Sequence, residues 1–255
     1  MVRMLSQTQG IDTVSITTNG VLLCEFAKSL RNAGLSGLNV SLDTLRQDRF
    51  MQIARRPGLD DVLAGIDAAL EAGFTSVKIN MVVMRGVNDD ELADFAELAR
   101  HRPLHVRYIE FMPMGGCTVW TEDVFWPAED ILAKARELAE LTPVKLPPDR
   151  HSGPARMFTI AGGKGRFGLI TPLSSHFCGS CNRLRITPDG HLRTCLFSDK
   201  EYRLRPMLRH PRLGPEAVAR VMRLALRKKP LGYRLLREQA GAGEAIHGMM
   251  SAIGG

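Results

Sequence analysis

The chain has 255 residues, 44% of them hydrophobic, enough for one large α/β domain or two ordinary ones, which excludes fibrous and wholly disordered classes. Its apolar residues come in short runs broken by charge, so no stretch reaches the ~18 apolar residues of a membrane span, and Met1 to Gly10 does not read as a secretory leader. Thirty-four Lys and Arg against 27 Asp and Glu leave a charge of +7, which favours anionic partners without choosing between nucleotide, nucleic acid and ordinary surface charge.

From Ile11 to about Met114 short β-branched runs alternate with helical patterns. Val14 to Thr17 reads as a strand; Leu22, Leu23, Phe26 and Leu30 then recur at helical spacing up to Ala33, with Gly34 as a stop. Leu38 to Leu42 is the second strand. Asp60 to Ala72 carries Val62, Leu63, Ile66, Ala69 and Leu70 on one helical face, with Gly73 just past its end. Val77 to Val83 is the third strand. Asn88 or Asp89 is suited to cap a helix holding Leu92, Phe95, Ala96, Leu98 and Ala99, and Leu104 to Phe111 is the fourth strand. Helix-bearing crossovers between these strands specify parallel pairing, hence an α/β barrel or doubly wound sheet.

A further helix is expected from Pro127 to about Leu141, and the Pro-rich stretch Thr142 to Pro154 reads as a boundary. We therefore expect a first domain over 1–141, a partial TIM-type barrel of βα units, and a second over 142–255 built from short strands. These are Arg156 to Ile160, Gly168 to Ile170 and a hairpin around Thr187-Pro188-Asp189-Gly190. Ala217 to Lys229 has an amphipathic helical pattern ended by Pro230, and the Gly- and Ala-rich tail after Arg237 reads as mobile.

Five cysteines, an odd number unevenly placed, suit a reducing, cytoplasmic compartment. The sharpest local signal is Cys178-Gly-Ser-Cys181, followed by Cys195 after thirteen intervening residues. Folding Arg183 to Thr187 back onto Gly190 to Cys195 through the Pro-Asp-Gly turn returns Cys195 beside Asn182 or Arg183, so three thiolates converge. A closed zinc site would take a fourth ligand from His176 or His191. Three cysteines on a four-iron cluster would instead leave one iron open to a substrate atom. Arg183 and Arg185, two residues apart on a strand, share a side and suit an anionic, phosphorylated ligand. Cys24 and Cys117 lack partners at ligand spacing and read as packing thiols.

At the strand ends, Thr17-Thr18-Asn19-Gly20, Ser41 and Asp43, Lys78 and Asn80, and Glu110 and Met112 fall where α/β folds gather ligand groups. Singly, each is more often a turn, cap or core residue than a ligand contact.

Together these residues resemble a family. Ile16 to Gly20, Asn39 to Asp43, Val77 to Asn80, Arg107 to Met112, Cys178 to Arg185 with Cys195, and the terminal Ile253-Gly254-Gly255 are similar to the radical S-adenosylmethionine (SAM) GTP 3',8-cyclases of molybdenum cofactor biosynthesis. The resemblance runs from Ile11 to the last residue and implies conversion of GTP to a 3',8-cyclo-7,8-dihydro product. In that chemistry a 5'-deoxyadenosyl radical removes the ribose 3' hydrogen and the carbon radical attacks guanine C8. It implies that Cys178, Cys181 and Cys195 hold a [4Fe-4S] cluster whose open iron meets the base. Thr17, Lys78, Arg183, Leu184 and Arg185 would contact GTP, Ser41 and Met112 would contact SAM, and Gly254 and Gly255 would reach into the active site. Implied partners are a reductant and the synthase that makes cyclic pyranopterin monophosphate from the product, and a homodimer is compatible.

The Cys-x-x-x-Cys-x-x-Cys loop of the family's first cluster and its Gly-Gly-Glu-Pro segment are not in this sequence. The expectation is therefore the C-terminal portion of such an enzyme, without SAM cleavage by this chain alone, and of low stability. Two other classes compete with it. One is a non-catalytic guanine-nucleotide-binding relative; the other is a zinc-stapled nucleic-acid module, which the 6% aromatic content disfavours.

Overall fold

The computed structural model describes residues 1–114, 120–144 and 153–236. Internal contacts divide the chain into two units, Met1–Phe111 with Asp123–Thr171, and Met112–Glu122 with Pro172–Gly255.

The first unit is a mixed α/β layer structure dominated by parallel strands. Four strands, β1 (Ser15–Thr18), β2 (Gly37–Ser41), β3 (Val77–Val83) and β4 (Leu104–Glu110), run parallel in chain order. The helices of this unit are α1 (Val2–Ser6), α2 (Leu23–Asn32), α3 (Gln47–Ala54), α4 (Leu59–Glu71), α5 (Leu92–His101) and α6 (Ala128–Leu138). Three later strands, β5 (Leu141–Pro143), β6 (Arg156–Ile160) and β7 (Arg166–Ile170), join the same sheet in the order β1-β2-β3-β4-β7-β6-β5. β7 is parallel to β4, whereas β6 and β5 are antiparallel. The two short strands expected after the Pro-rich stretch thus extend the first sheet.

Period-two alternation makes the sheet two-faced. On β3, Val77, Ile79, Met81 and Val83 are fully buried, while Lys78 and Asn80 between them are half-exposed; on β4, Leu104, Val106 and Tyr108 alternate with His105 and Arg107 in the same way. The apolar face shares one core with Val62, Ile66 and Ala69 of α4, Phe95 and Ala99 of α5, and Ile131 of α6. Each such large aliphatic side chain contributes ~1.5–3 kcal/mol on burial. α4 stops where Gly73 takes a left-handed conformation (φ 83°), as its position past the periodic residues predicts.

Two expectations are corrected. Asn88 takes the N-cap position of the single 3-10 turn Asp89–Glu91 that leads directly into α5, but its side chain makes no capping hydrogen bond there. Asn88 is fully buried; its amide donates to the carbonyls of Asp43 (2.8 Å) and Val82 (2.9 Å), and its oxygen accepts from Met84 N–H (2.8 Å), tying together the loops after β2 and β3. Glu110, only 1% exposed, accepts from the first backbone N–H of α6 at Ala128 (2.9 Å). It shares its parity with Tyr108, so it belongs to the helix-covered face and acts as a cap at the positive end of α6.

The second unit contains β8 (Arg185–Ile186), β9 (His191–Arg193) and β10 (Glu201–Arg203) as an antiparallel sheet, followed by α7 (Arg205–Arg209) and α8 (Gly214–Arg227). The Pro-Asp-Gly hairpin forms as expected: Gly190 N–H donates to Thr187 O and Thr187 N–H to His191 O, both at 2.9 Å. Among the described residues, no helix is long and apolar enough to cross a membrane.

Candidate active site

The polar face of the first unit's sheet is organised by strand register. Thr17, Asn39, Lys78, His105 and Arg166 stand opposite one another across β1, β2, β3, β4 and β7. One pleat further on, Ser41, Asn80, Arg107 and Gly168 form a second row. Directly opposed residues share a face, so two rows of polar and cationic groups lie on one surface.

Arg107 is the best-held of these groups. Its Nε donates to Asn80 Oδ1 at 2.8 Å and a terminal nitrogen to Asn39 Oδ1 at 2.6 Å, while Asn39 in turn reaches Ile16 O at 3.4 Å. Gly168 makes the room: a Cβ there would meet the Arg107 side chain at 3.0 Å and the Met157 sulfur at 2.8 Å. Both partners of the guanidinium are neutral amides, and burial pushes its pKa down to about 10. Lys78 is lowered for the same reason, with Arg107 adding repulsion. His105 is pushed down to about 4 by burial, then by Arg166, Lys78 and Arg107, so it is neutral at pH 7.

Neighbouring polar groups divide their work. Thr18 Oγ1 accepts from Gly20 N–H (3.1 Å) and Asn19 Oδ1 from Val21 N–H (3.3 Å), building the turn after β1. The Thr17 side chain takes no part in that turn and is exposed, as is Ser41. Asp43 accepts from Val82 N–H at 2.8 Å, and burial outweighs that bond, pushing its carboxyl up to about 6.

In the second unit the sequence-predicted cysteines come within electrostatic reach of one another. The β8–β9 register pairs Arg185 with Arg193 and Ile186 with Leu192, so its continuation brings Cys195 level with Arg183, one of the two positions expected. Cys195 is 8% exposed; burial raises its pKa, a donated Phe197 N–H lowers it, and both Cys178 and Cys181 raise it. Cys181 is also penalised by burial, yet hydrogen bonds from Arg183, the charge of Arg183 and a hydrogen bond from Lys229 hold it below the usual thiol range. Arg185 is lowered by burial and by Arg183, and stabilised by Cys195 and Cys181. Arg183 also lies over the Phe177 ring, 4.7 Å from its centroid. Among the described residues no group of three or more His, Cys, Asp or Glu side chains is drawn together enough to hold a metal ion.

Residues 104–235 match the family model described as Molybdenum Cofactor Synthesis C, and residues 1–99 match that of the Radical SAM superfamily. A GTP 3',8-cyclase of Syntrophomonas wolfei is 43% identical over 255 residues, 100% of this chain and 76% of the relative. Those of Moorella thermoacetica (44% identical, 92% of this chain, 72% of the relative) and Heliobacterium modesticaldum (46%, 96% and 74%) are similar. The chain belongs to the GTP 3',8-cyclase family. Its relation to this family of molybdenum cofactor biosynthesis accounts for the motifs spread over both units.

Within this GTP 3',8-cyclase frame, Thr17, Ser41 and Lys78 stand on the polar sheet face, and Cys178, Cys181, Arg183, Arg185 and Cys195 gather in the second unit. Leu184 is half-buried and packs against the buried cluster of Leu192, Leu204 and Ala225. Met112 packs with Met114, Cys195 and Phe197. Gly254, Gly255 and Cys117 lie outside the described residues, whereas Cys24, expected as a packing thiol, is exposed on α2. Sequence reasoning passed over Arg107, Asn39, His105 and Arg166 as site residues. The signal was present: each shares its strand's polar parity with a neighbour on the next strand.

Proposed function

We propose that the chain binds and cyclises GTP as part of a cytoplasmic radical SAM GTP 3',8-cyclase, with the parallel sheet as part of a TIM-type barrel and the cluster and nucleotide region within residues 142–255, in the part that follows Thr171. In this reading Thr17 and Lys78 on the sheet, with Arg183, Leu184 and Arg185 in the second unit, bind GTP. Ser41 and Met112 bind SAM, Cys178, Cys181 and Cys195 hold a [4Fe-4S] cluster, and Gly254 and Gly255 approach the substrate. A reductant supplies electrons, and the cyclised product passes to the synthase of cyclic pyranopterin monophosphate.

The observation that carries the reading is the cationic sheet face. Lys78, Arg107 and Arg166 make no ion pair with a carboxylate among the described residues, and Arg107 is committed to neutral amides. Half-buried cations left in this state are costly, and a triphosphate offsets that cost for several of them at once. Lys78 suits a phosphate oxygen as a point charge, and the exposed Thr17 hydroxyl can donate beside it.

The donor set of the second unit fits an iron-sulfur cluster. A cubane spaces its cysteine sulfurs more widely than a single metal ion does, and thiolates held by cations suit an anionic assembly. When bound, the cluster supplies an iron with an open position for a substrate atom. The chain's own contribution is to shield one sulfur from water by burying Cys195, and to present the guanidinium of Arg185 to that sulfur and that of Arg183 to Cys181.

The test is anaerobic reconstitution with iron and sulfide, followed by metal analysis and calorimetric titration with GTP and ATP. About four irons per chain, with GTP bound in preference to ATP, is the expected result. One zinc without iron, or a steep salt-dependent affinity for generic DNA with no GTP preference, overturns the reading.

A further inference from the structure

After α8 the chain returns to the cysteines, and Lys229 makes the first contact. Its ammonium donates to the carbonyls of Cys181 (2.7 Å) and Arg183 (2.9 Å) and to the Cys181 sulfur (3.3 Å). A lysine has three N–H donors, so these three acceptors use all of them. Three residues on, Gly232 is buried against the other side of the group: a Cβ there would meet Cys195 Sγ at 2.9 Å and Phe197 Cδ2 at 2.7 Å. Leu235 and Leu236 then pack against Met114, Cys195 and Phe197. The segment from Lys229 to Leu236 therefore holds two of the three cysteines from outside the Cys178 to Cys195 motif, one by hydrogen bonds and one by close packing.

We propose that Lys229 is a positioning residue for the iron-sulfur cluster, fixing the Cys181 sulfur and the peptide as far as Arg183, and raising the cluster's reduction potential through its N–H···S hydrogen bond. The inference rests on the cluster reading given above. Its physical basis is general. Hydrogen bonds and positive charge at a ligand sulfur draw electron density from the cluster and favour the reduced state. Lys229 suits this role better than Arg183, which also approaches Cys181. The guanidinium of Arg183 is shared with the Phe177 ring and, in the proposed function, with nucleotide, whereas the ammonium of Lys229 is wholly committed to the loop.

Wild type, Lys229→Met and Lys229→Arg are reconstituted anaerobically, and their iron and sulfide contents and midpoint potentials are measured by spectroscopically monitored redox titration. Far-UV circular dichroism confirms that each variant is folded. Lys229→Met keeps the stem and removes every donor. It is expected to lower the reduced-to-oxidised ratio at a fixed potential roughly tenfold, a shift of about 59 mV to more negative values for one electron. Lys229→Arg keeps charge and donors and is expected to recover most of the shift. Should Lys229→Met fold but take up no iron, the positioning role stands and the potential is read on Lys229→Arg and Lys229→Gln, with the glutamine expected to be the more negative. Should Lys229→Met fail to fold, the same pair decides the question. A wild-type potential and iron content in Lys229→Met, or in Lys229→Gln where that variant is read, overturns the inference while leaving the cluster reading intact. Wild-type chain that assembles no cluster overturns both, and that result is separate because it precedes any substitution.

Discussion

The two units hold their polar groups in opposite ways. In the first, a continuous apolar core of strand and helix side chains lies on one face of the sheet, and the cations project from the other. Among the described residues the second has two buried apolar clusters of three residues each, Met114 with Cys195 and Phe197, and Leu192 with Leu204 and Ala225. It is held instead by polar ties such as Arg193, whose side chain is 4% exposed and pairs with Asp199 and Glu201. A sheet can carry unpaired cations because the burial that stabilises it happens on its other side. A small loop-rich unit has no such reserve, so its stability depends on tethers and, in our reading, on bound metal.

The largest expected effect breaks the second unit alone. Cys195→Ser is expected to reduce reconstituted iron from about four per chain to near zero, measured by iron and sulfide analysis. The same variant should leave the helical and sheet signal of the first unit unchanged in far-UV circular dichroism.

The counterpart in the first unit is Arg107→Ala, which removes a cation and strips both Asn39 and Asn80 of their donor. GTP affinity is expected to fall roughly 10- to 100-fold by calorimetric titration, about 1.4–2.8 kcal/mol. Arg107→Lys should recover little, because an ammonium cannot span both amide oxygens as a planar fork does.

A stability effect sharpens the comparison further. Asp43 has a folded-state pKa of about 6 against 3.8, so the folded chain holds this proton more tightly than the unfolded one. Its contribution therefore favours folding below about pH 4 and is lost as pH rises through 6. Asp43→Asn keeps an oxygen for Val82 N–H. It is expected to be more stable than wild type by roughly 2–3 kcal/mol at pH 7.5 and nearly equal to it at pH 4, compared by urea denaturation at the two pH values.

The smallest effect concerns a tie inside the apolar face. Tyr108 is fully buried and its hydroxyl donates to Leu92 O at a long 3.3 Å. Tyr108→Phe should cost ~0.5–1 kcal/mol in the same denaturation series and leave both GTP affinity and iron content unchanged.

Much of the first unit was legible because period is a local property. The runs Val77 to Met81 and Leu104 to Tyr108 alternate so cleanly that strand, face and parity follow from the residues alone. The cysteine group was legible for a different reason: Pro188-Asp189-Gly190 enforces a turn, and the turn sets the register that returns Cys195 to Arg183. Glu110 was misread because strand-end position says nothing of face, and the helix N-terminus it caps at Ala128 lies eighteen residues away. α3 was not foreseen, since Gln47 to Ala54 is only eight residues long and buries only Phe50.

The sequence by itself determined the alternation of strands and helices, the spacing of Cys178, Cys181 and Cys195, and the motifs by which the chain is related to GTP 3',8-cyclases. Only the tertiary structure decided that Asn39, Asn80 and Gly168 combine to hold Arg107, and that Lys229 returns to the Cys181 sulfur. Those groups come from three different strands in the first case and lie 48 residues apart in the second. Propensity and periodicity act over a few residues, whereas strand register and the return of a chain over its own loop are settled by packing at long range.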